Sequence, residues 1–208
     1  MAICSSMGVA AVPSVDSQLW SELDATHAMS ADLSATAILT TRLGSDLPNP
    51  TLAAVGLQLD YRINSWIASA TGYYVSIRNA DTGAYARVWL PAAALTYEYH
   101  WGRLLLSDRN RVEQLEGVAS SPTRYRNRAS VDWRVARGKD STHIFIADEL
   151  FYDFSKDRWT RNRAQLGLQF HVSADANLQV FYLRQNNTYG TPDRLNVLGL
   201  TLQLGSTR

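Results

Sequence analysis

Between Leu33 and Leu43 the odd positions are Leu33, Ala35, Ala37, Leu39, Thr41 and Leu43, while the even ones include Ser34, Thr36, Thr40 and Arg42. A two-residue period is that of a β-strand with one apolar face. The period returns as Val55, Leu57, Leu59 and Tyr61 against Gln58, Asp60 and Arg62, and as Leu95, Tyr97, Tyr99 and Trp101 against Thr96, Glu98 and His100. Its clearest run sets Tyr125, Ala129, Val131, Trp133 and Val135 against Arg124, Arg126, Arg128, Ser130, Asp132 and Arg134. Later, Leu166, Leu168, Phe170 and Val172 oppose Arg163, Gln165, Gln169 and His171, and Leu198, Leu200, Leu202 and Leu204 share one side of the last run.

About eleven candidate strands follow from this pattern. Each is close to the roughly 9–11 residues that a tilted strand needs to cross a bilayer. Tight connections are predicted near Met29 to Asp32, Asn64 to Trp66, Trp101 to Gly102, Arg137 to Ser141 and Ser173 to Ala176. Longer polar ones are predicted near Gly44 to Pro50, Asn79 to Ala86, Gly117 to Pro122, Phe154 to Thr160 and Asn186 to Asp193. Short turns at one end and long loops at the other are how outer-membrane barrels are connected. Trp66, Trp101 and Trp133, with Tyr61, Tyr99 and Phe170, all fall near the tight-turn end, where an interfacial aromatic girdle would lie.

The predicted fold is therefore all-β: a closed antiparallel up-and-down transmembrane β-barrel of about 10–12 strands. Single-chain bacterial barrels have an even strand number, so a count near eleven predicts one missed or split strand, most naturally the first. Asp108, Asn110 and Asp148 fall on faces otherwise given to lipid, which predicts a bulge there or a position above the headgroups. A soluble β-barrel binding protein, which also alternates, is the competing architecture.

Composition narrows the reading. Apolar residues make up 46% of the chain and the formal net charge is +1, which suggests neither disorder nor nucleic-acid binding. The cationic side chains are almost all arginine, with only Lys139 and Lys156 as lysines. Arginine suits a confined site where a cation must be held by fixed hydrogen bonds. The single cysteine, Cys4, excludes an internal disulfide, and no apolar run is long enough for a membrane-spanning helix. Residues 1–17, with Ala2, Ile3, Met7, Val9 and Val12 among small residues, read as a signal-peptide remnant or a disordered arm. Residues 18–204 then form the barrel and 205–208 a short tail.

With the strands placed, the chain resembles the bacterial outer-membrane barrels grouped as domain of unknown function 2490. The landmarks are Trp20, Gly72-Tyr73, Asp108-Arg109-Asn110-Arg111-Val112-Glu113, Asn127-Arg128, Asp148-Glu149, Asn162-Arg163, Tyr182-Leu183-Arg184-Gln185 and the closing strand. The resemblance implies an exported barrel of a Gram-negative outer membrane, with outer-membrane lipid and the barrel assembly machinery as its partners. It assigns no biochemical role.

Following the chain up and down places Arg109, Arg111 and Glu113 beside Arg124, Arg126 and Arg128, and Glu149 beside Arg161 and Arg163. All would face the outer half of the lumen. Two readings follow. Arg and Glu satisfy one another in a barrel too narrow to be empty, or they form a positive constriction that favours small anionic solutes. An enzyme is the rival class, because His171-Val172-Ser173 has the His-x-Ser spacing of some outer-membrane lipid hydrolases, in which histidine activates serine. Asp81-Thr82-Gly83 has the letters of an aspartic-protease loop but occurs once, in a polar loop where Asp and Gly favour turns. His27, His100, His143 and His171 are scattered, so no metal or other cofactor is expected.

Overall fold

A computed structural model describes residues 14–44, 50–78, 83–117, 122–135, 142–189 and 192–205. The described residues form eleven strands: β1 (Val15–Ala28), β2 (Leu33–Leu43), β3 (Pro50–Ile63), β4 (Trp66–Arg78), β5 (Tyr85–Trp101), β6 (Leu104–Gln114), β7 (Thr123–Arg134), β8 (Thr142–Asp153), β9 (Arg158–Ser173), β10 (Ala176–Asn187) and β11 (Arg194–Leu204). They close into one barrel in which every sequence neighbour pairs antiparallel. The strands range from 11 to 17 residues, so the longest outrun what crossing requires.

Closure corrects the even-number expectation. β1 pairs with β11 in parallel, from Val15 against Arg194 to Ala25 against Leu204. A parallel seam joins first and last strands without a twelfth, because two strands running the same way can still satisfy each other's backbone groups. β1 also begins at Val15, inside the segment expected to be an arm or leader.

The tight-turn end follows from local chemistry. Asn64, at φ 55°, takes the left-handed conformation that asparagine tolerates better than most residues, in the turn joining β3 to β4. Gly102, at φ 60°, does the same between β5 and β6. The turn expected at Arg137 to Ser141, most of the loops after β2, β4 and β6, and Asp81-Thr82 lie outside the described residues. One loop expectation is corrected: β9 starts at Arg158, so Phe154–Asp157 is a compact turn in which Lys156 N donates to Asp153 O at 3.1 Å.

Alternation sorts the side chains as the pattern predicts. Leu39, Val55, Leu57, Leu166 and Leu198 are exposed on the outer wall, as are Tyr61, Tyr99, Trp66, Trp101, Trp133 and Phe170 near the tight turns. Trp20 turns inward and is buried, packing with Leu183, Leu195, Val197 and Phe181 on the inner face of β1, β10 and β11. Gly167 and Gly199 keep that face open for aromatic rings: a Cβ on Gly167 would stand 2.5 Å from Phe145 Cζ, and one on Gly199 would overlap the Phe181 ring. The lumen thus has an apolar patch on β1, β10 and β11, and charged side chains of neighbouring strands pack against it.

Candidate functional site: the arginine lumen

All nine lumen residues expected from the sequence line one cavity of about 610 Å³. Register explains the convergence. Arg111 pairs with Arg126 and Glu113 with Arg124 across β6 and β7, while Arg128 pairs with Glu149 across β7 and β8 and Glu149 with Arg163 across β8 and β9. Cross-strand partners stand about 4.5–5.5 Å apart at Cβ, close enough for long charged side chains to meet.

Two carboxylates organise the cluster. Glu113, buried with no exposed side chain, meets Arg126 Nη1 at 2.9 Å, Arg124 Nη2 at 2.6 Å and Arg111 Nε at 3.4 Å. The Arg124 contact is an ion pair without hydrogen-bond geometry, since Glu113 Oε1 has no hydrogen-bond partner among the described residues. Glu149 takes Arg126 Nη2 at 2.8 Å, Arg109 Nη2 at 3.1 Å and Arg163 Nη1 at 3.6 Å. Arg126 thus bridges the two, in the charge-assisted pairing that fixes guanidinium orientation.

Positive charge exceeds this pairing. Eight arginines line the cavity against four carboxylates, Glu22, Asp24, Glu113 and Glu149. Arg42, Glu22 and Asp24 were not expected in the site. Their signal was present, since Arg42 sits on the polar face of its strand, but only the β1–β2 and β1–β11 pairings carry that face to the cluster. Among the described residues, no carboxylate lies within ion-pair distance of Arg42, Arg128 or Arg161.

These arginines are held by other means. Arg42 stacks 3.8 Å over the Trp20 ring, with Arg163 5.0 Å from the same centroid. Stacked cations on an indole are positioned without being neutralised. Arg163 Nε donates to Gln185 Oε1 at 2.7 Å, Gln185 Nε2 donates to Asn187 Oδ1 at 2.9 Å, and Arg161 Nε donates to the same Asn187 oxygen at 3.0 Å. Amide oxygens thus occupy the Nε edges of both guanidiniums and leave their net charge in place.

A second cavity of about 460 Å³ lies toward the tight turns, with Asp32, Asp60, Glu98 and Arg62 in its wall. The two cavities share three lining residues, Arg109, Arg111 and Arg128.

Residues 17–196 match the model of a family described as a protein of unknown function, DUF2490. The chain belongs to the DUF2490 family. No curated protein sequence matches it. Among solved structures, the barrel is similar to the NanC porin, at 14% identity and TM-score 0.55 over 89% of this chain and 94% of that one. It also matches a loop-deletion form of OmpT, an outer membrane protein of Vibrio cholerae, at 13% identity and TM-score 0.42, over 81% of this chain and 57% of that one. The protein is thus a β-barrel of the outer-membrane type, and the likeness to NanC extends to the fold alone.

The landmarks that carried the family resemblance now have positions. In this DUF2490 barrel, Arg109, Arg111, Arg128, Glu149 and Arg163 line the lumen, and their neighbours Asp108, Asn110, Asn127, Asp148 and Asn162 therefore point outward, as strand alternation requires. The His-x-Ser pair lies elsewhere, at the tight-turn end of β9. His171 Nδ1 lies 3.1 Å from Asn177 Oδ1, and no hydrogen bond joins it to Ser173 among the described residues.

Proposed function

We propose that this protein sits in the bacterial outer membrane with its apolar wall against lipid, and that its lumen is a narrow passage for small anionic solutes. Lipid and the barrel assembly machinery are the partners this placement requires. The observation that carries the reading is that Arg109, Arg111 and Arg128 stand in the walls of both cavities. A solute moving between them passes three guanidiniums, and rings of arginine select for anions. Above that layer the surplus cations Arg42 and Arg161 raise local anion concentration, which low-dielectric walls intensify.

Reversal potentials of the purified protein in planar bilayers under a KCl gradient test this. Wild type is expected to prefer chloride, and Arg109→Gln with Arg128→Gln to lose most of that preference. A conducting wild type that favours potassium would overturn the reading. The specific alternative is a closed structural network, favoured by the three guanidiniums on buried Glu113. Correct insertion with no conductance would establish that alternative instead.

A further inference from the structure

The outer wall of β6–β10 carries a polar row where a membrane barrel should be apolar. Asp108 and Asp148 both lie in register with Ala129 on β7, midway along that strand between Trp133 and Tyr125. Below them the outward residues are Leu104, Leu106, Ile144 and Ile146, and above them Val112, Leu150 and Tyr125. Eight residues separate Trp133 from Tyr125, about 20 Å along the axis of a barrel tilted by roughly 40°. The two carboxylates therefore fall inside the band that the aromatic residues delimit.

A bulge does not remove them. The register shifts in this wall lie at Phe151/Tyr152 and at Ala176/Asn177, beyond the positions in question. The expected slip at Asp108, Asn110 and Asp148 is therefore absent, and the residues stay outward. They form a bonded surface: Asn127 Nδ2 donates to Asp108 Oδ1 at 2.6 Å and to Asn110 Oδ1 at 3.2 Å, Tyr125 donates to Asn110, and Asn162 Nδ2 donates to Asp148 Oδ1 at 2.7 Å. The same cross-strand row continues through Ala164 to Arg184 on β10. Arg184 is exposed, and its Nε donates to Asn186 Oδ1 over a long 3.4 Å.

Across β6 to β10 the row thus runs Asp108, Ala129, Asp148, Ala164 and Arg184, with carboxylates on the β6–β8 flank and, on β10, a guanidinium that has no carboxylate within ion-pair distance among the described residues. We propose that this wall is a lateral interface through which two copies of the chain associate side by side in the membrane. A two-fold axis along the membrane normal sets the same wall of each copy against the other and reverses the order of the strands. The β10 flank of each copy then lies against the β6–β8 flank of its partner. Basic meets acidic on both sides of the axis, and the alanines allow close approach. Charges costly to lipid are covered by groups that complement them.

This inference rests on membrane insertion and not on anion passage. Its test uses single cysteines in a Cys4→Ser chain expressed in the outer membrane: Ala164→Cys beside the axis of the proposed interface, and Leu57→Cys on the opposite wall. A short lipid-soluble bis-maleimide is the probe, and each variant's insertion is verified by heat-modifiability on gels. Ala164→Cys is expected to give a species of twice the monomer mass, at least fivefold more than Leu57→Cys. Arg184→Asp should abolish that species, and Asp108→Arg with Asp148→Arg in the Arg184→Asp chain should restore it. Inserted protein with no cross-link, equal cross-linking at Leu57→Cys, or an adduct of a different mass would each overturn the interface.

Discussion

Replacing Glu113 by glutamine keeps the side chain's shape and removes the one charge that Arg111, Arg124 and Arg126 share. Removing one partner of a buried ion pair costs about 3–5 kcal/mol, because the other charge is left uncompensated. Two features reduce the loss here. Arg126 keeps Glu149 at 2.8 Å, and Arg124 retains 22% side-chain exposure to the lumen. The lower end is therefore expected, about 3 kcal/mol, or roughly a hundredfold in the folding equilibrium. Equilibrium urea unfolding of the protein in lipid vesicles, followed by tryptophan fluorescence and by the folded band on unheated gels, measures it. Adding Arg124→Met to the Glu113→Gln chain should recover part of the stability by removing an unpaired cation. A loss under about 1 kcal/mol, the range of solvent-exposed pairs, would refute the reasoning. The lumen charges would then be water-screened and not a coupled network.

Further outcomes follow from the same structure. Gly167→Val should destabilise the barrel by about 1–3 kcal/mol through overpacking against Phe145 and Phe181, read as a lower urea midpoint in the same vesicles. Anion preference should fall as KCl rises from 0.1 to 1 M, since the screening length shrinks from about 10 Å to about 3 Å, and a preference independent of salt would count against fixed lumen charge. Ser173→Ala should leave phospholipid release by the purified protein in detergent unchanged, because His171 is engaged with Asn177. A fall in release would bring the hydrolase reading back.

Most of the barrel was legible because strand alternation is local: Leu57 and Gln58, or Trp133 and Arg134, declare their faces from adjacent positions. The arginine cluster was legible for a related reason, since up-and-down neighbours fix which polar faces meet. The closing seam was not. Pairing β1 with β11 joins residues at opposite ends of the chain, as in Ser17 against Asn196, and no local period encodes that register. The loss of the seam hid Arg42, Glu22 and Trp20 from the site, although each carried the right residue type. The outward row at Asp108 and Asp148 was visible but conflicted with an all-lipid outer wall, so a bulge there or a position above the headgroups was expected. The intact β6–β7 register keeps Asp108, Asn110 and Asn127 on the outer face, with apolar residues on either side of them.

The account's central claim is that apolar faces meet lipid while the polar faces line the lumen. Nitroxide labels at Leu57→Cys and Leu168→Cys on the outer wall, and at Gln58→Cys and Ser107→Cys in the lumen, test it in reconstituted vesicles. Collision with oxygen, which concentrates in lipid, should dominate at the first pair, and collision with a water-soluble nickel chelate at the second. Reversal of the two patterns, or uniform access of the nickel chelate to all four positions, would contradict it.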